Sequence, residues 1–227
     1  MQTTWDWDFA AEIFPRLMEG MLVTVAVTLI GIVIAVILGL FLALGRRSNQ
    51  PWISYPTAWF IEFIRSTPLL IQLFFFYYAL PQARDLPRWL TTWPAFITMF
   101  VALGVHYACY ASEAYRAGIE SVPKGQWEAS TTLNLKIKTT WRSVILPQAI
   151  PRSLPPLGNY FVAMFKDAPI GSAITVQGVL FVARATQSAS FRSVEPYTLA
   201  GLLFLAVSIP AAMFVRRLER RVAYESD

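Results

Sequence analysis

An almost unbroken apolar run, Leu17–Leu44, constrains this chain more than any other feature of its sequence. From position 21 onward it consists almost purely of Val, Ile, Leu, Ala, Thr and Gly. A helix needs about 20 apolar residues to cross the hydrocarbon core of a bilayer, and this run is longer. Gly31 and Gly39 permit close contact with neighbouring helices. The run therefore predicts a membrane-spanning helix that ends at the basic pair Arg46–Arg47.

The composition agrees with a membrane protein and argues against an ordinary soluble domain. Of 227 residues, 56% are hydrophobic and 15% are charged, which is too apolar for a soluble chain of this length. We expect one transmembrane domain over residues 1–227. Cys109 is the only cysteine, so no intrachain disulfide is possible. No cofactor or metal site is predicted.

The remaining apolar segments predict four more spans. They are Trp52–Leu80, Thr92–Tyr110, a segment that begins near Pro156, and Tyr197–Val215. Pro147, Pro151 and Pro155 precede the fourth span and predict a short or broken helix there. Ala168–Val182 is predicted as a re-entrant or outer-face helix, and Ala183–Pro196 as an external loop. The fold class is therefore predicted to be all-α transmembrane, with about five spanning helices.

The positions of the charges predict which side of the membrane each segment faces. Residues 1–16 are acidic and aromatic, which fits an arm at the outer interface and not the basic start of a signal peptide. The inner segments then carry Arg46, Arg47, Arg116, Lys124, Lys136, Lys138, Arg142, Arg216, Arg217, Arg220 and Arg221, and the outer ones carry Arg16, Arg84, Arg88, Lys166, Arg184 and Arg192. The positive-inside rule favours this orientation, with the N-terminus outside and the C-terminus cytoplasmic. The net charge of +5 thus reflects topology, and no nucleic-acid partner is predicted.

The longest polar interval between apolar segments, residues 120–147, predicts a helix, a tight turn and a second helix. Pro123 suits a first helical turn, where its missing N–H is not needed. Four residues are spaced to share one face of the first helix: Trp127, Ala129, Ser130 and Leu133. Asn134 lies where the chain must turn, and it tolerates the left-handed conformation. Residues 138–146 predict the second short helix, which Pro147 is expected to stop.

This interval resembles the cytoplasmic EAA loop of the permease subunits of bacterial ABC importers. That pattern is Glu-Ala-Ala, three residues, Gly, nine residues, Ile, one residue, Leu-Pro. Glu128-Ala129-Ser130 fills the triad, Asn134 takes the Gly position, and Val144 precedes the closing Leu146-Pro147 in the Ile position. Ser130 replaces one small residue by another, and Asn134 keeps a turn residue but adds a side chain. The alternative is an amphipathic helical hairpin with no docking role.

A second string resembles the polar amino acid branch of the same family. Residues 62–73 read Glu-Phe-Ile-Arg-Ser-Thr-Pro-Leu-Leu-Ile-Gln-Leu, and that branch has a similar Glu-x-x-Arg-x-Thr-Pro stretch. Glu62 and Arg65 lie one helical turn apart, so they either neutralise each other structurally or serve a function. Three strings are most similar to the ectoine and hydroxyectoine permeases: Gly104-Val105-His106-Tyr107, Leu133-Asn134-Leu135 and Phe191-Arg192-Ser193-Val194-Glu195-Pro196.

The resemblance implies a non-catalytic permease of the bacterial inner membrane and a set of partners. These are an ATPase subunit dimer, a second permease subunit that is identical or homologous, an extracytoplasmic solute-binding protein, and membrane lipid. The chain has no P-loop pattern, so ATP hydrolysis is assigned to a separate subunit. The resemblance also assigns ATPase coupling to Gly125, Glu128, Ala129, Ser130, Asn134, Leu146 and Pro147.

Five polar residues amid apolar neighbours are predicted to line the solute path: Gln72, His106, Asn159, Lys166 and Asp167. Such groups at membrane depth tend to face a cavity or a partner, so the second, third and fourth spans are expected to line the path, and not the first. The resemblance implies a small zwitterionic solute, and Lys166 and Asp167 offer one group of each sign. Tyr160 and Phe165 lie near them and offer aromatic faces to a cation. The alternative is that the two charges mark the outer membrane boundary.

Two other function classes are weighed against an importer. An intramembrane enzyme needs a nucleophile and a base, but His106 is the only histidine and no Gly-x-Ser-x-Gly pattern occurs. A channel does not need a docking loop, and no Gly-rich run typical of a selectivity filter is visible. Co-purification with an ATPase separates the importer from both alternatives.

Overall fold

A computed structural model describes residues 5–83 and 85–224 of the chain. Within those ranges every regular element is helical, which confirms the predicted all-α class. The α-helices are α1 (Trp7–Arg46), α2 (Pro51–Ser66), α3 (Leu69–Phe74), α4 (Arg88–Thr91), α5 (Ala95–Glu120), α6 (Lys124–Thr132), α7 (Ile137–Thr139), α8 (Leu146–Asp167), α9 (Val179–Ser190) and α10 (Val194–Tyr224). Arg84 and the side chain of Arg221, both counted in the charge argument, lie outside the described residues.

Three of the described helices are long and apolar enough to cross a membrane. They are Trp7–Arg46, Ala95–Glu120 and Val194–Arg217, in which an 18-residue stretch has a mean hydropathy of 3.0, 1.5 and 2.2, respectively. Two bent pairs meet the same criterion together: Pro51–Ser66 with Leu69–Gln82, bent by 103°, and Ile137–Ile174 with Val179–Ser190, bent by 46°. If each bent pair crosses once, the number of spans is five, as the sequence predicts.

The first helix begins earlier than the sequence predicts. The expected start was Leu17, after an acidic arm, but α1 begins at Trp7 with Asp6 as its N-cap. The Asp6 carboxylate accepts hydrogen bonds from the N–H groups of positions 8 and 9, at 3.0 and 3.1 Å. Arg192 donates to Asp6 at 2.8 Å and also to Glu195 at 2.8 Å. This outer clasp (Asp6, Arg192, Glu195) joins the start of α1 to the start of α10.

The central packing contact lies between α1 and α5. A Cβ at Gly39 would lie 2.8 Å from the Ala111 Cβ and 2.9 Å from the Ala108 carbonyl oxygen. Only a glycine therefore allows the two backbones to approach this closely. The largest apolar cluster among the described residues also draws on both helices and includes Val27, Ala35, Leu69, Leu73, Met99, Leu103 and Met164. Helix α5 is thus buried in the protein and carries the histidine and two of the tyrosines described below.

The second predicted span, Trp52–Leu80, is not a continuous helix. It breaks at Thr67 and Pro68, whose backbone is extended. Pro68 has no N–H to continue the helix, and its ring disfavours the helical conformation at Thr67. The break turns the chain by 103°, and we call residues 66–68 the elbow.

The third span is longer than the predicted Thr92–Tyr110. Helix α5 continues to Glu120. Arg116 donates to Glu113 at 2.8 Å and to Glu120 at 2.6 Å along the added turns. Ion pairs at these spacings support a helix beyond the apolar segment, which the apolar pattern alone does not predict.

The prediction that the fourth span begins near Pro156 is wrong. Helix α8 begins at Leu146 and passes through Pro151, Pro155 and Pro156 without a break until Asp167. One face is buried along its whole length: Ala149, Ser153, Leu157, Gly158, Met164 and Phe165. Packing of this face outweighs the N–H donors that the prolines lack, because tertiary contacts supply most of the stability of a helix.

The prediction of an external loop over Ala183–Pro196 is also wrong for most of its length. After a 3₁₀ turn over Ala168–Ile174, helix α9 extends to Ser190, and only three residues separate it from α10. The first turn of α9 is fixed to α1, because the Val179 N–H donates to Thr24 Oγ1 at 3.1 Å. Helix α9 therefore packs against the transmembrane helices instead of forming a loop.

Candidate functional site

The coupling loop (residues 120–147) contains the predicted turn between α6 and α7. Leu135 N donates to Ser130 O at 3.0 Å, and Asn134 N donates to Thr131 O at 2.9 Å. These two bonds form a Schellman motif, which requires a left-handed residue just after the helix. Asn134 supplies it with φ 51°, which confirms the turn predicted there.

Two details of the predicted coupling loop are wrong. Pro147 does not stop the second helix, because helical backbone continues from Ile137 through a π-helical stretch, Thr140–Ile145, directly into α8. The predicted apolar face of α6 is also only half formed. Trp127 is half-buried and Ser130 is buried, but Ala129 is exposed and Leu133 lies beyond the helix with 71% of its surface exposed.

Two tryptophans anchor the coupling loop to the membrane helices. The Trp127 and Trp141 rings meet edge to face, with centroids 5.4 Å apart. Both pack on an apolar cluster made by Ile119, Val122, Ile145 and Ala149. These residues lie at or next to the end of α5 and the start of α8, so the two tryptophans connect α6 to two transmembrane helices.

The rest of the coupling-loop surface is exposed and carries both apolar and charged side chains. Leu133 and Ile137 are 71% and 70% exposed, and Glu128 is also exposed. A concave surface of about 590 Å³ is lined by Trp127, Glu128, Thr131, Thr132, Asn134, Leu135, Ile137 and Thr140. Of the seven predicted coupling residues, Gly125, Glu128, Ala129, Asn134, Leu146 and Pro147 are exposed and Ser130 is buried. Exposed apolar residues around a carboxylate suit a protein interface.

A belt of alternating charges joins three helix ends next to the coupling loop. Its members are Arg46 of α1 and Arg47 just after it, Glu62 of α2, and Glu113, Arg116 and Glu120 of α5. Arg46 pairs with both Glu62 and Glu113, so one guanidinium bridges all three helices. A network of this kind is worth more than isolated surface pairs.

At membrane depth, Gln72 closes the elbow. Its Nε2 donates to Ile64 O at 2.7 Å, to Thr67 O at 3.1 Å and to Thr67 Oγ1 at 2.7 Å. The Ile64 carbonyl lies in the last turn of α2 and has no helical N–H partner, because position 68 is a proline, and Thr67 is the C-cap of that helix. The amide thereby satisfies the backbone of a bend that would otherwise be costly away from water.

The same amide fixes the tautomer of His106. Because Gln72 Nε2 faces two carbonyl oxygens, its Oε1 must face His106 Nδ1, which lies 3.1 Å away. A carbonyl oxygen only accepts, so the Nδ1 of His106 carries a hydrogen. Two predicted path residues, on α3 and α5, are therefore brought into direct contact.

An aromatic cluster (His106, Tyr107, Tyr110 and Tyr160) surrounds this contact. Tyr110 lies at its centre, with its ring centroid 5.2 Å from that of His106, 5.9 Å from that of Tyr107 and 5.6 Å from that of Tyr160. The hydroxyl of Tyr107 donates to Asp167 Oδ2 at 2.7 Å. A third predicted path residue, Asp167, is thus connected to the cluster through a hydrogen bond between α5 and α8.

The other two predicted path residues lie elsewhere. Asn159 is exposed and donates to Glu219 Oε1 of α10 at 2.8 Å. Lys166 is exposed, as a residue at a membrane boundary would be. A groove of about 880 Å³ between α1, α5, α8 and α10 is lined almost entirely by apolar side chains such as Leu157 and Phe161, and none of the five predicted residues lines it.

Sequence reasoning missed Tyr107 as the partner of Asp167. Tyr107 was visible next to His106 in an apolar segment, but its partner lies 60 positions later, and no spacing rule connects them. It also missed Gln72 as the residue that closes the elbow. The signal for that role was a glutamine just after an interrupted apolar run, where the freed carbonyls of a helix end need donors.

The whole chain resembles known membrane transport proteins. The family described as "Binding-protein-dependent transport system inner membrane component" matches residues 35–224. The probable amino-acid ABC transporter permease protein y4tG of Sinorhizobium fredii is 40% identical over 94% of this chain and 92% of its own length. The L-cystine transport system permease protein TcyB of Bacillus subtilis is 34% identical over 96% and 93%.

Solved structures agree with this resemblance. A chain from the crystal structure of an amino acid ABC transporter with histidines superposes with a TM-score of 0.88 and 33% identity, over 96% of this chain and all of the other. The MetNI methionine ABC transporter in an inward-facing conformation superposes with a TM-score of 0.66 over 94% and 99%. At 17% identity, the second match establishes a shared fold only.

Proposed function

The chain belongs to the family of binding-protein-dependent transport system inner membrane components, and we propose that it carries a small zwitterionic solute as the permease subunit of an ATP-driven importer. The solute class is a polar amino acid, with ectoine or hydroxyectoine as the narrower candidate. Relatives named for amino acids, cystine and octopine support the broader class. The narrower candidate rests on the three short strings around His106, Asn134 and Arg192.

The observation that carries the proposal is the open face of the coupling loop. Glu128 lines the concave surface there together with two exposed apolar residues, Leu135 and Ile137. The two anchoring tryptophans connect this face to α5 and α8, which also carry the aromatic cluster and Asp167. An ATPase subunit that moves α6 would thus move the helices that carry the predicted solute path.

The remaining partners follow from the transport cycle. A second permease subunit, identical or homologous, supplies the other wall of the path. A soluble binding protein delivers the solute at the outer face, where the outer clasp joins the ends of two helices. In this arrangement the N-terminus lies outside and the coupling loop and C-terminus lie in the cytoplasm, as the charge distribution favours.

Reversal of one charge tests the coupling role. We expect Glu128→Lys to insert normally but to lose solute-stimulated ATP hydrolysis and uptake, because an exposed interface carboxylate becomes a repelling cation. Glu12→Lys, also an exposed glutamate but on α1, is the matched control and should keep both activities. Uptake by Glu128→Lys at the parent rate would contradict the docking role.

A panel of solutes tests the substrate class. The reconstituted complex, with its own binding protein, is given labelled histidine, arginine, glutamate, ectoine and maltose. Uptake of an amino acid or of ectoine supports the proposal, and uptake of ectoine alone selects the narrower candidate. Transport of maltose without any amino acid or ectoine would refute it.

A further inference from the structure

The apolar groove between α1, α5, α8 and α10 is unsuited to a polar ligand. Only four of its lining residues carry a hydroxyl group, and three of these, Thr28, Tyr115 and Ser153, donate to backbone carbonyls at 2.8, 3.3 and 2.9 Å. Their hydrogens are therefore not available to a ligand. A polar molecule in this groove would lose its hydrogen bonds to water without replacing them, so the groove favours an apolar occupant.

The groove is also long and open. Its wall on α1 extends from Val25 to Leu40, which is roughly 22 Å of helix and more than half of a hydrocarbon core that is about 30 Å thick. Leu29, Ile150 and Phe214 on its walls are exposed. An extended acyl chain that lies along the transmembrane helices fits this shape and gains contacts along its whole length.

Cations lie at the coupling-loop end of the groove. Arg47 lies two helical turns beyond the last groove residue of α1, and residues at that spacing share one side of a helix. Arg142 lies about one turn before Leu146, the first groove residue of α8. Glu120 is 3.9 Å from Arg47, which is longer than a hydrogen bond, and it already accepts from another arginine at 2.6 Å. Among the ion pairs of the described residues, none involves Arg142. This end of the groove therefore suits an anionic group.

A second copy of this chain fits these charges less well. Two copies related by a two-fold axis along the membrane normal bring the same helix ends to the same side. The last turns of α10 carry further cations there, Arg216 and Arg217. A symmetric copy would thus place cations next to cations, whereas a phosphate group complements them.

We propose that the groove binds an anionic phospholipid, with one acyl chain along the apolar walls and the phosphate at Arg47 and Arg142. The planar fork of arginine can donate two parallel hydrogen bonds to a phosphate, and basic sites next to transmembrane helices recognise lipid headgroups. Ile119 and Ala149 line the groove and also belong to the cluster that carries the two tryptophans of the coupling loop. The lipid therefore touches the base of that loop. This site requires only that the chain crosses a membrane, and it does not depend on the solute or on the partners proposed above.

The test measures lipid binding to the purified, delipidated complex in detergent. Phosphatidylglycerol and phosphatidylcholine are titrated separately, and bound lipid is counted by native mass spectrometry. The parent should bind phosphatidylglycerol at least about 10-fold more tightly than phosphatidylcholine, whose choline offsets the phosphate charge. The double variant Arg47→Gln and Arg142→Gln should bring this ratio close to one. Arg184→Gln, which removes an exposed arginine of α9, is the matched control and should keep the ratio.

A second pair of variants tests the acyl-chain groove. Ala211→Phe adds a ring to a lining residue of α10 and should weaken the binding of both lipids by about 5-fold or more, because the groove is then partly filled. Ala212→Phe changes the next residue, which is also half-buried but is not part of the groove lining, and should leave both affinities unchanged.

Two results would overturn the proposal. One is an unchanged phosphatidylglycerol affinity in both the double arginine variant and Ala211→Phe. The other is a disulfide between two copies through Ile150→Cys in a Cys109→Ser background, because it would show that a second copy occupies the groove instead of a lipid.

Discussion

The coupling loop lies entirely within residues 120–147, whereas the aromatic cluster and its polar partners come from α2, α3, α5 and α8. The coupling loop is held at its base by two tryptophans and leaves most of its predicted functional residues exposed. In the membrane, His106, Gln72 and Tyr107 are all buried. The coupling loop is thus built from one short stretch of sequence and is largely exposed, whereas the membrane region is built from distant stretches and is largely buried.

This difference determines how each region responds to change. An exposed side chain in the coupling loop acts mainly through a partner that approaches it, so its replacement alters coupling and leaves the fold intact. A buried side chain in the membrane touches several helices at once, so its replacement disturbs packing as well as function. Two glycines, one at a buried crossing of membrane helices and one in the coupling loop, allow the effects of burial and exposure to be compared directly.

The largest expected effect is at Gly118, where α5 crosses α8. A Cβ there would lie 1.9 Å from Ser153 Oγ and 2.8 Å from the Ala149 carbonyl oxygen. We expect Gly118→Ala to destabilise the protein by about 1–3 kcal/mol or more, because helices must separate to admit the methyl group. The measurement is the thermal unfolding midpoint of the purified complex in detergent.

Gly125 is the matched control for this prediction. It lies in the first turn of α6, and nothing approaches a Cβ there within 4 Å. Gly125→Ala should leave the midpoint unchanged or raise stability by up to about 1 kcal/mol, since alanine favours a helix. Adding Ser153→Ala to Gly118→Ala should recover part of the loss. Equal midpoints for the two alanine variants would contradict the contrast between a closed and an open region.

The sequence predicted the parts of this molecule that depend on local patterns. The spanning run after Leu17, the all-helical class and the turn at Asn134 all follow from composition and spacing over short distances. The errors arose where distant contacts outweighed local signals. The prolines up to Pro156 predicted a break in the fourth span, but burial of the Ala149–Phe165 face against other helices keeps α8 continuous.

The candidate site shows the same limit. The sequence named Gln72, His106 and Asp167, because polar groups in apolar segments are conspicuous. It did not connect them, since the Gln72–His106 contact joins residues 34 positions apart and the Tyr107–Asp167 contact joins residues 60 apart. Asn159, chosen by the same rule, instead donates to Glu219.

Mutation of Asn134 is expected to have a smaller effect than Gly118→Ala. It tests whether the coupling loop can open locally without loss of global stability. Its φ of 51° is left-handed, which costs a β-branched residue roughly 1–2 kcal/mol. We expect Asn134→Val to weaken hydrogen-exchange protection of α6 while the unfolding midpoint of the complex stays nearly constant, because the loop opens locally. Asn134→Gly should keep both protection and uptake. Loss of global stability in Asn134→Val would show that the loop is not an independent local unit.

Mutation of the outer clasp is expected to have the smallest effect on stability. Its residues are distant in sequence but partly exposed, so it distinguishes the influence of distance along the chain from that of burial. It joins Asp6 to Arg192, 186 positions apart, yet 39% of the Asp6 side chain is exposed. Hydrogen bonds from the Phe9 N–H and from Arg192 lower the pKa of the Asp6 carboxyl below its ordinary value of 3.8. A lowered folded-state pKa means that the charged form stabilises the protein above pH 3.8, and that this contribution is lost as the pH falls through the lowered value.

Asp6→Asn keeps a good helix cap but removes the charge. Its thermal unfolding midpoint should therefore be slightly below that of the parent at pH 7, and the difference should shrink below pH 3.8. Asp8→Asn, in the same turn but without an ion pair among the described residues, is the matched control for the removal of one carboxylate. A difference that grows on acidification would contradict the role of the clasp, and one as large as that of Gly118→Ala would mean that distance along the chain matters more than burial.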